Sequence, residues 1–342
     1  MKKSAILLSL LCCAATLCAQ NLSDVLPLLQ KNKRTPTETQ QVLQLFRTAS
    51  QPDVIFAAGA SLVKIPPAST QEPALLNLIM RQDQPLKSIF SAVIITAMGK
   101  RYEDFLPLLE QGLQSPDLAL RSYAAGAYSI LNPSDKSYAN DVIRLYIFDP
   151  EFAQRALHLM TGDASAQFKL IKNATQNKDT QTRAAAAMWL GTLHTTKANQ
   201  QLLKMAKTET DASVQTQLAT ALALNQTATL PQVIKGLKKD YQSTPSATYA
   251  LALGFMTGNA IPSLRQTILS KNKNERINTL RTLAYMANVL SNPDAFAYSN
   301  DRSFDTGLLK SFIPQVSGFS KTGDAIERTY ADNALLQFEK LM

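Results

Sequence analysis

The sequence predicts an all-α protein, an α-α superhelix of about eight helix pairs. Aspartates recur about every 31 residues, at Asp117, Asp149, Asp179 and Asp211, and each precedes a stretch rich in Ala and Leu. Repeats of roughly 20 to 50 residues are typical of stacked supersecondary units. No stretch alternates apolar and polar residues over the length of a strand, and Gly and Pro fall mainly between the helical stretches. We therefore expect no sheet.

The repeat unit is clearest at residues 117–131 and 179–193. Counted from each Asp, an Arg follows at +4, Ala at +7 and +8, and Leu at +14. Residues three and four positions apart lie on one face of a helix, so the small and apolar residues face a neighbouring helix. The Asp side chain can cap the helix by accepting backbone N–H groups that otherwise lack partners.

A second, shorter helix is expected before each Ala-rich helix. The clearest examples are Glu103–Gln114, Asn199–Lys207, Leu230–Tyr241 and Ile261–Leu269. Two to five polar or helix-breaking residues join the members of a pair, and connections this short make paired helices antiparallel neighbours.

The first 19 residues have the pattern of a secretory signal peptide. Lys2 and Lys3 precede an apolar run over residues 5–17, and Ala19 marks the expected cleavage site. The run is too short for a membrane span, which needs about 20 residues. A buried N-terminal helix is the alternative interpretation. We expect a soluble exported protein, because a lipid anchor needs a small residue before the cysteine and Leu17 precedes Cys18.

All three cysteines, at positions 12, 13 and 18, lie in this expected signal peptide. A mature chain without them has no disulfide, no zinc–thiolate site and no cysteine nucleophile. Cleavage also lowers the count of Lys and Arg from 35 to 33 against 26 acidic residues, which gives a net charge near +7. This surplus permits contact with an anionic envelope surface and does not require nucleic acid.

The expected domains are a signal peptide over 1–19, a helical repeat array over 20–290 and a C-terminal helical cap over 291–342. The array begins with expected helices at Leu22–Gln30, Pro36–Thr48 and Pro52–Val63. Residues 291–303 are polar and rich in turn formers, and helices are expected at Asp305–Val316 and Gly323–Leu341. An atypical end suits the cap of an array, since a terminal repeat needs a polar outer face. A separate small domain is the alternative.

The pattern Asp-x-x-x-Arg-x-x-Ala-Ala resembles a HEAT repeat, and its period is similar to that of the short, phycobilisome-lyase-like variety. The best copies are 102–131, 163–193 and 197–225, with weaker copies across 36–290. The resemblance implies a HEAT-like solenoid that acts as a scaffold or binds proteins or peptides. It also implies that Asp117, Arg121, Asp179 and Arg183 form structural ladders between repeats.

Catalytic chemistry finds little support in the sequence. The two histidines, His158 and His194, have no patterned carboxylate beside them, and neither metalloprotease nor nucleophile-elbow motifs occur. We interpret His158 as a core or interface residue. We expect no catalytic residue, no metal and no cofactor.

One enzymatic alternative, a serine hydrolase of the penicillin-binding type, has three short motifs in the right chain order. They are Ser61-Leu62-Val63-Lys64, Tyr298-Ser299-Asn300 and Lys321-Thr322-Gly323. More than two hundred residues of helical repeat separate the first two, and the third is expected in a loop with no strand beside it. Motifs this short arise by chance in a chain of this length.

The function predicted is that of a non-enzymatic exported scaffold or protein- or peptide-binding solenoid, periplasmic or secreted. An accessory subunit of an envelope enzyme or assembly is the alternative. The partner is a protein or peptide, and an anionic envelope surface is a second candidate. Neither nucleic acid nor a transmembrane segment is expected.

Two sets of candidate contact residues follow. The first comprises outward positions of the second helix of each pair, on the expected concave side: Tyr123, Gln181, Met188, Gln217, Tyr249 and Arg281. The second is a dense cationic stretch with only Glu275 opposing it, formed by Arg265, Lys271, Lys273, Arg276 and Arg281. Trp189 and the recurring methionines, in contrast, are expected to fill the core.

Overall fold

The computed structural model describes residues 22–81, 83–291 and 306–341. The expected signal peptide and the Tyr298-Ser299-Asn300 motif lie outside these residues. The described chain is all-α, with short 3₁₀ turns and no strand. It divides into two compact units, residues 1–170 and 171–342.

The first unit contains a short N-terminal helix followed by four helical hairpins. Its helices are α1 (Leu22–Leu29), α2 (Pro36–Thr48), α3 (Pro52–Lys64), α4 (Glu72–Ile79), α5 (Pro85–Ala97), α6 (Leu106–Leu113), α7 (Leu118–Leu131), α8 (Ala139–Leu145) and α9 (Pro150–Thr161). The hairpins pair α2 with α3, α4 with α5, α6 with α7 and α8 with α9. The second helices α3, α5, α7 and α9 pack against one another in chain order.

The second unit repeats this arrangement. The boundary falls within α10 (Ala164–Ala174). The helices that follow are α11 (Thr180–Thr192), α12 (Thr196–Thr208), α13 (Ala212–Leu224), α14 (Gln226–Gly236), α15 (Thr244–Met256), α16 (Ile261–Thr267), α17 (Lys273–Ser291), α18 (Gly307–Lys310), α19 (Ile313–Thr322) and α20 (Ala325–Glu339). Here α11, α13, α15, α17 and α20 stack in succession. The hairpins of this unit pair α12 with α13, α14 with α15, α16 with α17 and α19 with α20.

The periodic aspartates are N-caps, as the sequence predicts. Asp117, Asp149, Asp179 and Asp211 each directly precede a second helix, and each side chain accepts backbone N–H groups of the first turn. These bonds satisfy donors that have no partner inside the helix. Farther along the array an Asn replaces the Asp, since Asn272 accepts from the first turn of α17, at Glu275 N.

On α11, small residues and one large aromatic residue face the interior. In α11 the alanines at 184–187 are buried, and Trp189 is only 1% exposed. Trp189 is therefore a core residue, as predicted. Met160, Met205, Met256 and Met286 are also buried, which fits their predicted role as gap fillers.

Candidate functional site

The cationic stretch that the sequence singled out lies in the second unit, on α16, α17 and the connection between them. We call it the basic segment, and it comprises Arg265, Lys271, Lys273, Arg276 and Arg281. The expectation that only Glu275 opposes it is wrong. The C-terminal hairpin places Asp324 and Glu327 against it. These carboxylates lie about 50 residues farther along the chain, so sequence proximity could not reveal them.

Arg276 is fully engaged within the fold. Its Nε and Nη2 contact Glu327 Oε1 at 2.8 and 2.6 Å. Its Nη1 donates to the carbonyls of Ser270 and Lys271 at 2.8 and 3.1 Å. The guanidinium thereby ties α17 both to its own N-terminal loop and to α20. Such a group has little capacity left for an external anion.

Two more members of the basic segment have internal partners. Lys273 Nζ lies 2.5 Å from Asp324 Oδ2, a contact that lowers the pKa of Asp324 and raises that of Lys273. Arg281 donates to the carbonyl of Tyr241 at 2.7 Å and lies 5.7 Å from the centre of the Tyr330 ring. These contacts fasten the C-terminal hairpin to the stack.

The remaining two, Arg265 and Lys271, are exposed. Arg265 donates one long bond, 3.3 Å, to Ser311 Oγ. The segment therefore offers far less free positive charge than its composition indicates.

Arg183, in the first turn of α11, makes contacts of the same kind as Arg276. Its Nε and Nη2 donate to the two carboxylate oxygens of Glu209 at 2.8 and 3.0 Å. Its Nη1 donates to the carbonyls of Asn177 and Lys178 at 2.9 and 3.0 Å. Burial opposes the charge of Glu209, but the bonds from Arg183 and from the backbone of Asp211 lower its pKa overall.

Arg121 likewise reaches the next hairpin, where its Nε donates to Asp141 Oδ1 at 2.8 Å. Arg121 and Arg183 therefore each bond to the following hairpin, as a structural role requires, but these bonds do not form a ladder of the repeat's own Asp and Arg side chains. Their partners are carboxylates outside the Asp series, since the periodic aspartates act as caps.

The candidates on the second helices divide by exposure. Tyr123 and Tyr249 are each only 3% exposed, so the expectation that these side chains face outward is wrong. Large rings at these positions turn into the packing between helices, and burial raises the pKa of both hydroxyls. Gln181 is exposed, and Met188 and Gln217 are half-buried. None of these last three lines either of the two clefts described below.

One cleft in the second unit does collect free charge. It has a volume of about 500 Å³ and lies between α12 and α14, with α15 behind it. We call it the lysine cleft, and its lining is Leu203, Lys207, Gln232, Lys235, Gly236, Lys238, Lys239 and Tyr249. Its volume lies within the range of roughly 300 to 1,000 Å³ typical of ligand-binding clefts.

The four lysines of the cleft are exposed. None of them forms an ion pair or a side-chain hydrogen bond with a described residue. The neighbouring acid in the chain, Asp240, uses one carboxylate oxygen to accept from the backbone N–H of Gln242. Like charges around a low-dielectric wall create a local positive potential that attracts anions.

Gly236 determines how the back of the cleft is built. A Cβ at this position would lie 2.1 Å from Cδ2 of Tyr249. The absent side chain thus lets the Tyr249 ring pack directly on the backbone of α14. This contact explains how Tyr249 is nearly buried and still lines the cleft.

Sequence reasoning missed this cleft, although the repeat register contains a signal for it. Lys207 lies four residues before the cap Asp211, and Lys239 lies four residues before Ser243 at the start of the next second helix. Leu203 and Lys235 occupy the corresponding positions eight residues before. Lys207 and Lys239 are thus repeat-equivalent, and the cleft lysines belong to the first helices and the connections, whereas the predicted concave-side contact positions lie on the second helices.

A smaller cavity in the first unit, of about 300 Å³, carries charges of both signs. Its charged lining residues are Lys64, Asp149, Glu151 and Arg155. Arg155 donates to the carbonyl of Ala97 at 3.0 Å, and burial raises the pKa of Asp149. Because its charges largely balance, it is a weaker candidate than the lysine cleft.

The residues of the penicillin-binding-type motifs have structural partners. Ser61 is buried, and its Oγ donates to the carbonyl of Leu29 at 2.8 Å and accepts from Arg34 at 2.9 Å. Lys64 instead donates to Asn32 Oδ1 at 2.7 Å. The Lys321-Thr322-Gly323 motif ends helix α19 rather than lying in a loop.

The two histidines lie in different surroundings. His158 is exposed on α9, which contradicts the expectation of a core or interface residue. His194 follows α11 with a positive φ of 49°, and its Nδ1 lies 3.0 Å from Asn225 Oδ1. No group of three or more His, Cys, Asp or Glu side chains suited to a metal ion occurs among the described residues.

No protein-family model matches the chain, and no curated protein matches it. Within the part of the chain that the structure describes, no helix has the length and apolar character needed to cross a bilayer.

Proposed function

We propose that this protein is an exported, non-catalytic helical-repeat protein of the HEAT type that binds a protein or peptide partner. The observation that carries the proposal is the lysine cleft. It combines an apolar back, formed by Leu203 and Tyr249, with four lysines that form no ion pair with a described residue. Stacked repeats present extended surfaces of this kind to partners.

Support for a non-catalytic role comes from the side chains a reaction would need. Ser61 and Lys64 are engaged in separate structural contacts, and the His194 ring pairs with Asn225. The lysine cleft itself contains no carboxylate, serine or histidine in its lining. Lysines, a glutamine and a tyrosine hydroxyl can bind an anionic group but form no nucleophile–base–acid set here.

Support for the HEAT type comes from the repeat register and the arginine ladder. The Asp caps and the Arg at +4 recur in α7 and α11, and each Arg reaches the following hairpin. Support for export is the pattern of residues 1–19.

One experiment tests binding. The tagged protein is expressed in the organism that it comes from and purified from the cell envelope after mild cross-linking. The variant K235E/K239E is purified in the same way. We expect a defined partner that co-purifies with the wild type. Recovery of no stoichiometric partner at physiological salt would contradict the proposal.

A second experiment tests export. N-terminal sequencing of the protein from fractionated cells should show a start near Gln20 in the periplasm or the medium. An intact Met1 in the cytoplasmic fraction would contradict it.

A further inference from the structure

We propose that the lysine cleft binds an acidic, extended polypeptide segment that inserts one large apolar side chain beside Leu203 and Tyr249. This inference rests on the proposed function and specifies the chemistry of the partner. Three features carry it: the unpaired charge, the apolar back of the cleft and the spacing of the repeats.

The positive charge of the lysine cleft favours an anionic ligand. Lys207 and Lys235 lie in the last turns of α12 and α14, where a cation also interacts favourably with the helix dipole. That explanation does not extend to Lys238 and Lys239, which follow the last turn of α14. Four lysines at one cleft repel one another, and an anionic ligand relieves that repulsion on binding.

The size and the apolar back favour more than a lone anion. A water molecule occupies about 30 Å³, so a cleft of about 500 Å³ is far larger than one phosphate or carboxylate requires. Leu203 is half-buried and Tyr249 is almost fully buried. An apolar side chain placed against them loses further water-accessible surface, which stabilises the complex.

The repeat spacing favours an extended segment. Lys207 and Lys239 occupy the same register in successive hairpins. Packed helices lie about 8–10 Å apart, and an extended chain advances about 3.3 Å per residue. Carboxylates on both sides of one apolar residue, about 10 Å apart along an extended chain, can therefore reach the two lysines.

The test uses three synthetic, fluorescently labelled peptides and the full-length mature protein. The probe is GEEFAEEG, the apolar control is GEEGAEEG, and the charge control is GQQFAQQG. Binding is measured by fluorescence anisotropy at low and at physiological salt. We expect the probe to bind about tenfold or more tightly than either control, with affinity falling as salt rises.

Variants then locate the binding site. K235E/K239E should weaken probe binding about tenfold or more, and K235R/K239R should retain it. The matched control K172E/K178E changes two lysines that are exposed in the same unit but do not line the cleft. That control should bind as the wild type does, and circular dichroism should show all variants folded.

Several outcomes would overturn the inference. Equal binding of GQQFAQQG would make the site purely apolar, and equal binding of GEEGAEEG would make it a simple anion site. Stronger competition by inorganic phosphate or by vesicles of anionic phospholipid than by the probe would point to a different ligand. An envelope partner that co-purifies equally with K235E/K239E would leave the proposed function standing and refute this site for it.

Discussion

The basic segment and the lysine cleft are both rich in positive charge, yet the fold uses them in opposite ways. In the basic segment, Arg276 and Lys273 contact Glu327 and Asp324, and they fasten the C-terminal hairpin to the stack. In the lysine cleft, no described residue pairs with the lysines. The density of charge along a sequence therefore does not show which charge is available to a partner.

The physical reason is the helical repeat. An Arg four residues after a cap lies where the next hairpin and the loop carbonyls converge, so Arg183 and Arg276 are drawn into contacts between hairpins. A Lys four residues before the start of a second helix lies at the end of a first helix, as Lys207 does, or in the connection after it, as Lys239 does, at the rim between hairpins. A basic residue therefore joins two hairpins when it follows a cap by four residues, and its side chain stays exposed when it precedes the second helix by four residues.

The largest effect on stability is expected for a variant in the basic segment. Arg276→Ala removes the ties to Glu327, Ser270 and Lys271 and leaves the buried Glu327 carboxylate without its partner. We expect a loss of about 2–4 kcal/mol in the free energy of unfolding, measured by urea denaturation. Lys271→Ala, at an exposed side chain of the same segment, should change it by less than about 0.5 kcal/mol. Similar values for the two variants would show that the segment is not a structural tie.

The next largest effect concerns the back of the lysine cleft. Gly236→Ala places a methyl group 2.1 Å from the Tyr249 ring, so the ring must shift. Overpacking of this kind costs about 1–3 kcal/mol. The control is Gly318→Ala in α19, where a Cβ meets nothing within 4 Å. That change should be neutral or stabilise by up to about 1 kcal/mol, since alanine favours a helix. Thermal denaturation of both variants checks the difference, and an unaffected G236A would refute the packing described for Tyr249.

A smaller effect appears in the pH dependence of stability. The folded pKa of Glu209 is lowered, so its pairing with Arg183 stabilises the fold above the unfolded pKa, near 4.5. This stabilisation is lost as the pH falls through the folded value. Burial raises the folded pKa of Asp149. The protonated Asp149 therefore stabilises the fold at low pH, and this stabilisation is lost as the pH rises through the folded pKa.

Denaturation between pH 3 and pH 7 tests these signs. Glu209→Gln should destabilise the protein more at pH 7 than at pH 3. Asp149→Asn retains an oxygen that can cap α9, and its effect relative to the wild type should become more favourable as the pH rises. Parallel pH profiles for the two variants would contradict the assigned burial and pairing.

The smallest effect on stability is expected at the rim. Lys238→Gln with Lys239→Gln should change the free energy of unfolding by no more than about 0.5 kcal/mol, because these side chains have no described partner to lose. A stabilisation within that range would fit relief of repulsion. A loss above about 1 kcal/mol would show that these lysines are structural.

The sequence predicted the fold well because its signal is local. The Asp caps, the alanine face of α11 and helices such as Pro36–Thr48 depend on residues within a few turns of each other. The sites depend on distant residues: Glu327 meets Arg276 across 51 positions, and Leu203 meets Tyr249 at one cleft through the stacking of hairpins. The outward placement of Tyr123 and Tyr249 failed because helical periodicity gives the direction of a side chain but not how a large ring packs in the neighbouring hairpin.

The cleft lysines are free to bind a partner, whereas three of the five cations of the basic segment, Lys273, Arg276 and Arg281, are engaged inside the fold. The most direct measurement is the affinity of the GEEFAEEG probe for two charge-reversal variants, K235E/K239E in the cleft and R265E/K271E at two exposed members of the basic segment. We predict a loss of about tenfold or more for the first and no more than a twofold change for the second. The reverse order, or equal losses, would contradict the account.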